Sequence, residues 1–216
     1  MLADILWNME VEQFLRPEEF ERLLSATQNE REQCMLLLLA GAGLRVGEMT
    51  AIRAEDVDFS KGYLHIRADG AKGKKPRTVV LLPPVAGTIK KHLAGRTQGW
   101  LFPGYKGKHI STVQAERILH GIAERTGLQE VIHPDRKGPG RYRVHPHMLR
   151  HSFAVWSLDN GVPVGDLQDQ LGHASLATTS KFTSRPAQNI GERHICGQVA
   201  KFPCRRVCLK AGQFDF

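Results

Sequence analysis

Met35-Leu36-Leu37-Leu38-Leu39-Ala40 is apolar at six consecutive positions, the longest such run in the chain. A helix that is apolar on every face has to be enclosed by other protein. The run is also far short of the roughly 20 residues that cross a bilayer as a helix. The pattern predicts a buried helix over 31–41, broken by Gly41-Ala42-Gly43. The rest of the chain must therefore wrap this segment. With 216 residues, 41% of them hydrophobic and 24% charged, it has the means to build a core of its own.

Upstream, Pro17-Glu18-Glu19 predicts a helix start, with proline in the first turn and acidic side chains at the positive end of the dipole. Helical character resumes at Val46 and ends before Asp56. Tyr63–Arg67 and Thr78–Leu82 are rich in β-formers and flank Gly70-Ala71-Lys72-Gly73-Lys74-Lys75-Pro76, which predicts a hairpin with a long basic tip. Pro83-Pro84 ends it, and 85–95 reads as a helix. A further helix is expected over 111–126, opened by Ser111 or Thr112, and 133–146 reads as loop. Helices follow at about 147–159, 163–171 and 175–183. The sum is a mainly α chain with a small antiparallel β-sheet, an α+β fold.

Charge is distributed unevenly. Of 30 Lys and Arg against 22 Asp and Glu, residues 1–60 hold 5 basic and 12 acidic, and residues 61–110 hold 11 basic and one acidic. A basic band behind an acidic start suits a polyanion partner. Aromatic content of 7% offers no stacking platform, which favours the backbone of duplex DNA over single strands. The N-terminus, Met-Leu-Ala-Asp-Ile-Leu-Trp, lacks the charged start and apolar stretch of a signal peptide, so a cytoplasmic protein without membrane attachment is expected. The cysteines make no disulfide framework. Cys34 falls in the apolar helix. His194, Cys196, Cys204 and Cys208 have zinc-ligand chemistry, but their spacing matches no common ligand pattern.

Three segments stand out in order: Gly43-Leu-Arg45-Val-Gly-Glu48, then His147-Met-Leu-Arg150, then Leu171-Gly-His173-Ala-Ser-Leu-Ala-Thr-Thr-Ser-Lys-Phe182. Taken singly, an arginine is most often a surface charge and an HxxR pair on a helix is common. Their ordered combination around a basic hairpin resembles the catalytic domain of the tyrosine recombinases, the phage-type integrases and Xer-type enzymes. The resemblance covers about residues 16–185, leaving 1–15 as a lead-in and 186–216 as a tail that could dock on a neighbouring protomer. Family members typically carry an additional N-terminal helical domain. The expectation here is that it is absent, because the catalytic helices begin within twenty residues of Met1.

Phosphodiester transesterification needs fixed cations for the phosphorane, a proton for the departing 5′-oxygen and a nucleophile held in line. Paired guanidiniums suit the first task through bidentate contacts. The resemblance gives this work to Arg45, His147, Arg150 and His173. It gives general acid catalysis to Lys72 and an orienting role to Glu48, and leaves Lys74, Lys75 and Arg77 as DNA-binding residues. Phe182 occupies the position of the nucleophilic tyrosine and keeps the ring without the hydroxyl. Tyr142, the tyrosine nearest His147 in sequence, lies in an expected loop and is set aside as a substitute.

The implied function is site-specific DNA recombination or integration through a 3′-phosphotyrosyl intermediate. It would be carried out by a homotetramer on paired double-stranded DNA sites, with no cofactor and no metal. With Phe182 in place the chain would bind DNA without cleaving it. An engineered Tyr→Phe variant fits, since Arg45, Arg150 and His173 are all retained. The alternatives are a naturally inactive DNA-binding regulator of recombination sites and, sharing the chemistry, a nicking enzyme of the type IB topoisomerase kind.

Overall fold

A computed structural model of the chain describes residues 14–68, 76–132 and 141–172. Its first helix, α1 (Pro17–Ser25), opens on proline with Glu18 and Glu19 in the first turn, and α2 (Glu30–Ala40) is capped by the Asn29 side chain, which accepts from the Glu32 N–H at 3.0 Å. From Cys34 to Ala40 every α2 residue is buried. Its wrapping comes from α4 (Pro83–Leu93), α5 (Thr112–Arg125) and α6 (Pro146–Asp159), all of which pack on it. The apolar run is thus the axis of the core, as its sequence requires. Ser111 caps α5 through its hydroxyl, and the His145 ring caps α6 by accepting from the Met148 N–H at 3.2 Å. The last described helix, α7 (Val164–Leu171), ends at Gly172 in the left-handed conformation, φ 65°.

The sheet lies to one side of this bundle. β1 (Val57–Asp58), β2 (Tyr63–Ile66) and β3 (Arg77–Val80) run antiparallel in that order, with Leu64 facing Val79 and Ile66 facing Arg77. Leu64, Ile66 and Val79 point into the core. The α+β expectation therefore holds, with corrections in two places. The helix expected from Val46 to Asp56 is only α3 (Val46–Thr50), because Arg53 pairs with Trp100 as an isolated bridge before a 3-10 turn at Ala54–Asp56. Within the expected loop at 133–146, Arg141–Tyr142 (β5) pairs antiparallel with Val131–Ile132 (β4). The helix expected near 175–183, the hairpin tip and the cysteine-bearing tail lie outside the described residues.

One local device recurs three times. In Arg16–Glu19, Arg45–Glu48 and Arg53–Asp56, the backbone N–H of the arginine donates to the carboxylate three residues on, at 2.9 Å in each case. The same carboxylates then accept from arginines elsewhere in the fold, Glu19 from Arg143, Glu48 from Arg77 and Asp56 from Arg67. Each therefore closes a turn and fastens that turn to another element.

Candidate active site

Gly43 begins the site. Its φ of 68° is one that side-chain-bearing residues rarely adopt, and a Cβ there would come to 2.5 Å from Phe153 Cδ1 and 2.9 Å from Leu171 Cδ2. The chain consequently passes tight against α6 and the end of α7. Two residues later Arg45, in extended backbone, caps the N-terminus of α3. Its Nη1 donates to Glu48 Oε1 at 3.0 Å and its Nη2 reaches the Gly172 carbonyl at 3.4 Å.

Two more arginines meet at the same place. Arg150, buried on α6, donates through Nη1 to the Gly43 carbonyl and through Nη2 to the Leu171 carbonyl at 2.7 Å. Arg77 opens β3 and donates through Nε to the Gln170 carbonyl at 3.2 Å. Three successive carbonyls at the negative end of α7 are thus each met by a guanidinium, the arrangement that a helix C-terminus favours. Of the three arginines Arg45 is the most open, with a side chain 36% exposed against 13% for Arg77.

Glu48 holds the cluster together. Its side chain is 4% exposed and accepts from Arg77 Nη1 and Nη2 at 2.9 Å each, as well as from the Arg45 side chain and backbone. Burial works to raise its pKa. The Arg77 bonds, the Arg45 N–H, the charge of Arg77 and the Arg45 side-chain bond outweigh it, holding the carboxyl down at about 2. Arg150 is shifted downward by burial and then by the charge of Arg45, and it stays a cation at neutral pH. With one carboxylate among three guanidiniums, the cluster keeps a net positive charge.

Of the residues expected from sequence, the structure brings together Arg45, Glu48, Arg150 and Arg77, and the last, expected as a DNA-binding residue, turns its guanidinium toward Glu48. His147 is exposed one turn before Arg150 on α6. His145 is the α6 cap, and burial lowers the pKa of His151. Tyr142 packs edge-on against the His120 ring at 4.1 Å. Lys72, Lys74, Lys75, His173 and Phe182 lie outside the described residues, though His173 directly follows Gly172 in sequence. No group of three His, Cys, Asp or Glu among the described residues could hold a metal ion, and no described helix is long and apolar enough to cross a membrane. Sequence reasoning missed Gln170, whose side chain joins α7 to β3. Nothing in the one-dimensional pattern marks it, because its partners are backbone groups.

The arrangement offers a phosphate one part-exposed guanidinium backed by a buried one, both fixed by backbone carbonyls and a shared carboxylate. The XerA tyrosine recombinase of Pyrococcus furiosus is 35% identical over 185 residues, covering 82% of this chain and 59% of the relative. The chain thus spans about three-fifths of that relative's length. The crystal structure of a XerA recombinase aligns with a TM-score of 0.66 at 25% identity, over 94% of this chain and 64% of that one. XerH, a site-specific recombinase solved bound to a palindromic difH substrate, aligns with a TM-score of 0.61 at 25% identity, over 81% of this chain and 49% of that one. The phage integrase family matches residues 13–188, a span that takes in the sheet, every described helix and the arginine cluster, and the chain belongs to that family, the tyrosine recombinases.

Proposed function

We propose that this chain is the catalytic domain of a site-specific recombinase in which Phe182 stands where the nucleophilic tyrosine belongs, so that it engages duplex DNA without cutting it. The convergence of Arg45 and Arg150 on the end of α7, one residue before His173, is the observation that carries this reading. XerH, a neighbour in fold, is solved on its DNA site, which supports duplex DNA as the partner.

In this reading Arg45, Arg150, His147 and His173 meet the phosphate oxygens and stabilise the extra charge of the phosphorane. Glu48 fixes Arg45. With a tyrosine at 182, its hydroxyl oxygen would release its proton to water and bond to phosphorus, the bond to the 5′-oxygen would break, and Lys72 would give that oxygen its proton. The products are a 3′-phosphotyrosyl link and a free 5′-hydroxyl, and the reverse steps rejoin the strand. Lys74 and Lys75 extend the DNA contact along the hairpin tip. Four protomers on two sites would exchange strands in pairs, with residues 16–185 as the catalytic unit and the tail after Pro186 reaching a neighbour.

The test compares this chain with Phe182→Tyr on supercoiled plasmid, scoring protein–DNA adducts that survive detergent. Adducts confined to the Phe182→Tyr protein are expected. Adducts from both proteins would mean that another residue attacks, and adducts from neither would remove the support for cleavage chemistry.

A further inference from the structure

Gln170 and Arg77 lie 93 residues apart and are joined across the face between α7 and β3. The Gln170 side-chain amide takes both backbone groups of Val80, accepting its N–H at 2.9 Å and donating to its carbonyl at 3.1 Å. This is the pairing a further strand would give, and it covers the outer edge of β3. The same Nε2 donates to the Ala42 carbonyl at 3.3 Å, so one amide pins α7, β3 and the glycine turn that precedes Arg45. Arg77 works in the opposite direction. From β3 it grips Glu48 on α3 with both Nη atoms and the Gln170 carbonyl with Nε. The fit leaves no slack, since a Cβ on Gly172 would come to 2.8 Å from Arg77 Cδ.

We infer that Arg77 and Gln170 are positioning residues that make β3, α3 and the C-terminus of α7 one rigid unit, with Arg77 acting through Glu48 and α7 rather than on DNA. Two segments leave this unit, the hairpin tip that ends at Arg77 and the chain that continues from Gly172. Resting on the function proposed above, the unit holds the Arg45 guanidinium in one place for the phosphate, and in sequence its two ends lead toward Lys72 and His173. A residue that only contacted DNA phosphate would not need a fork on a buried carboxylate. A residue that only stabilised the core would not need to tie these two exits together.

The test has two parts. Hydrogen exchange on the chain as it stands compares Arg77→Gln and Gln170→Ala with the parent. Each single change is expected to speed exchange roughly tenfold or more in both 76–80 and 166–172, leaving the α2 core protected. Faster exchange confined to the substituted segment overturns the coupling. Where either variant fails to fold, Arg77→Lys and Gln170→Glu replace it, the latter keeping the acceptor for Val80 N–H and losing both donor bonds.

The second part repeats the changes in the Phe182→Tyr protein. Adduct formation is expected to slow roughly a hundredfold, the cost of a small misplacement of the Arg45 guanidinium, with duplex affinity and its salt dependence unchanged. A loss of affinity with a salt slope lower by about one would make Arg77 a direct phosphate ligand and overturn the inference. Should the Phe182→Tyr protein form no adducts, the cleavage reading fails, and the exchange result still decides whether the unit exists.

Discussion

Glu48, itself 4% exposed, accepts four hydrogen bonds from two arginines, so removing its charge leaves two guanidiniums facing each other without a counter-ion. Breaking a buried ion pair by taking one partner typically costs about 3–5 kcal/mol. Glu48→Gln should therefore lower the unfolding free energy by an amount in that range, read from the fall in the urea midpoint multiplied by the slope, where a surface Glu→Gln such as Glu21→Gln moves it little. Acid should do the same reversibly. The folded carboxyl titrates near 2 against an ordinary value near 4.5, and Glu19 is shifted downward too, with burial opposing and Arg16 and Arg143 prevailing. A depressed carboxylate contributes its stability above the unfolded value and loses it as pH falls toward the folded one. Unfolding midpoints should hold down to about pH 4.5 and then drop steeply toward pH 2, and Glu48→Gln should flatten that drop. Glu48 was legible in sequence as an acid three residues after Arg45. Its bond to Arg77 was not, since nothing in the basic run from Lys72 to Arg77 says which cation turns inward.

At the level of elements, the end of α7 controls the site. Gly172 is left-handed, and a methyl group there would strike Arg77, so Gly172→Ala combines a strained backbone with a clash. The expected cost is about 1–3 kcal/mol, read as a lower thermal midpoint, together with faster exchange in both 76–80 and 166–172. The elements were largely visible beforehand because caps and glycine breaks are local signals: Pro17, Ser111 and Gly41 all sit at the boundaries found. Where expectation failed, the deciding contact was distant. α3 stops after Thr50 because Arg53 pairs with Trp100, and Arg141–Tyr142 is a strand only because Val131–Ile132 lies beside it. No window of neighbouring residues carries either fact.

For the molecule as a whole, the band of basic residues between 61 and 110 predicts binding to duplex DNA that weakens linearly in log–log terms as salt rises. Arg45→Gln should reduce that slope by about one if its part-exposed guanidinium meets a phosphate, and filter binding across a salt series measures it directly. The three carboxylates that close a turn and also bind a distant arginine bear on how the chain finds its fold. Their partners lie 11, 29 and 124 residues away for Asp56, Glu48 and Glu19. The entropy of closing a loop rises with its length, so these three clasps should engage in that order. Loss of the first should slow folding, as Asp56→Asn would show in the refolding arm of a chevron plot. Loss of the last should chiefly hasten unfolding, as Glu19→Gln would show in the other arm. The same chemical device, used three times, would then time the assembly of the domain, with the arginine cluster closing between the sheet and the final docking of α1 onto Arg143.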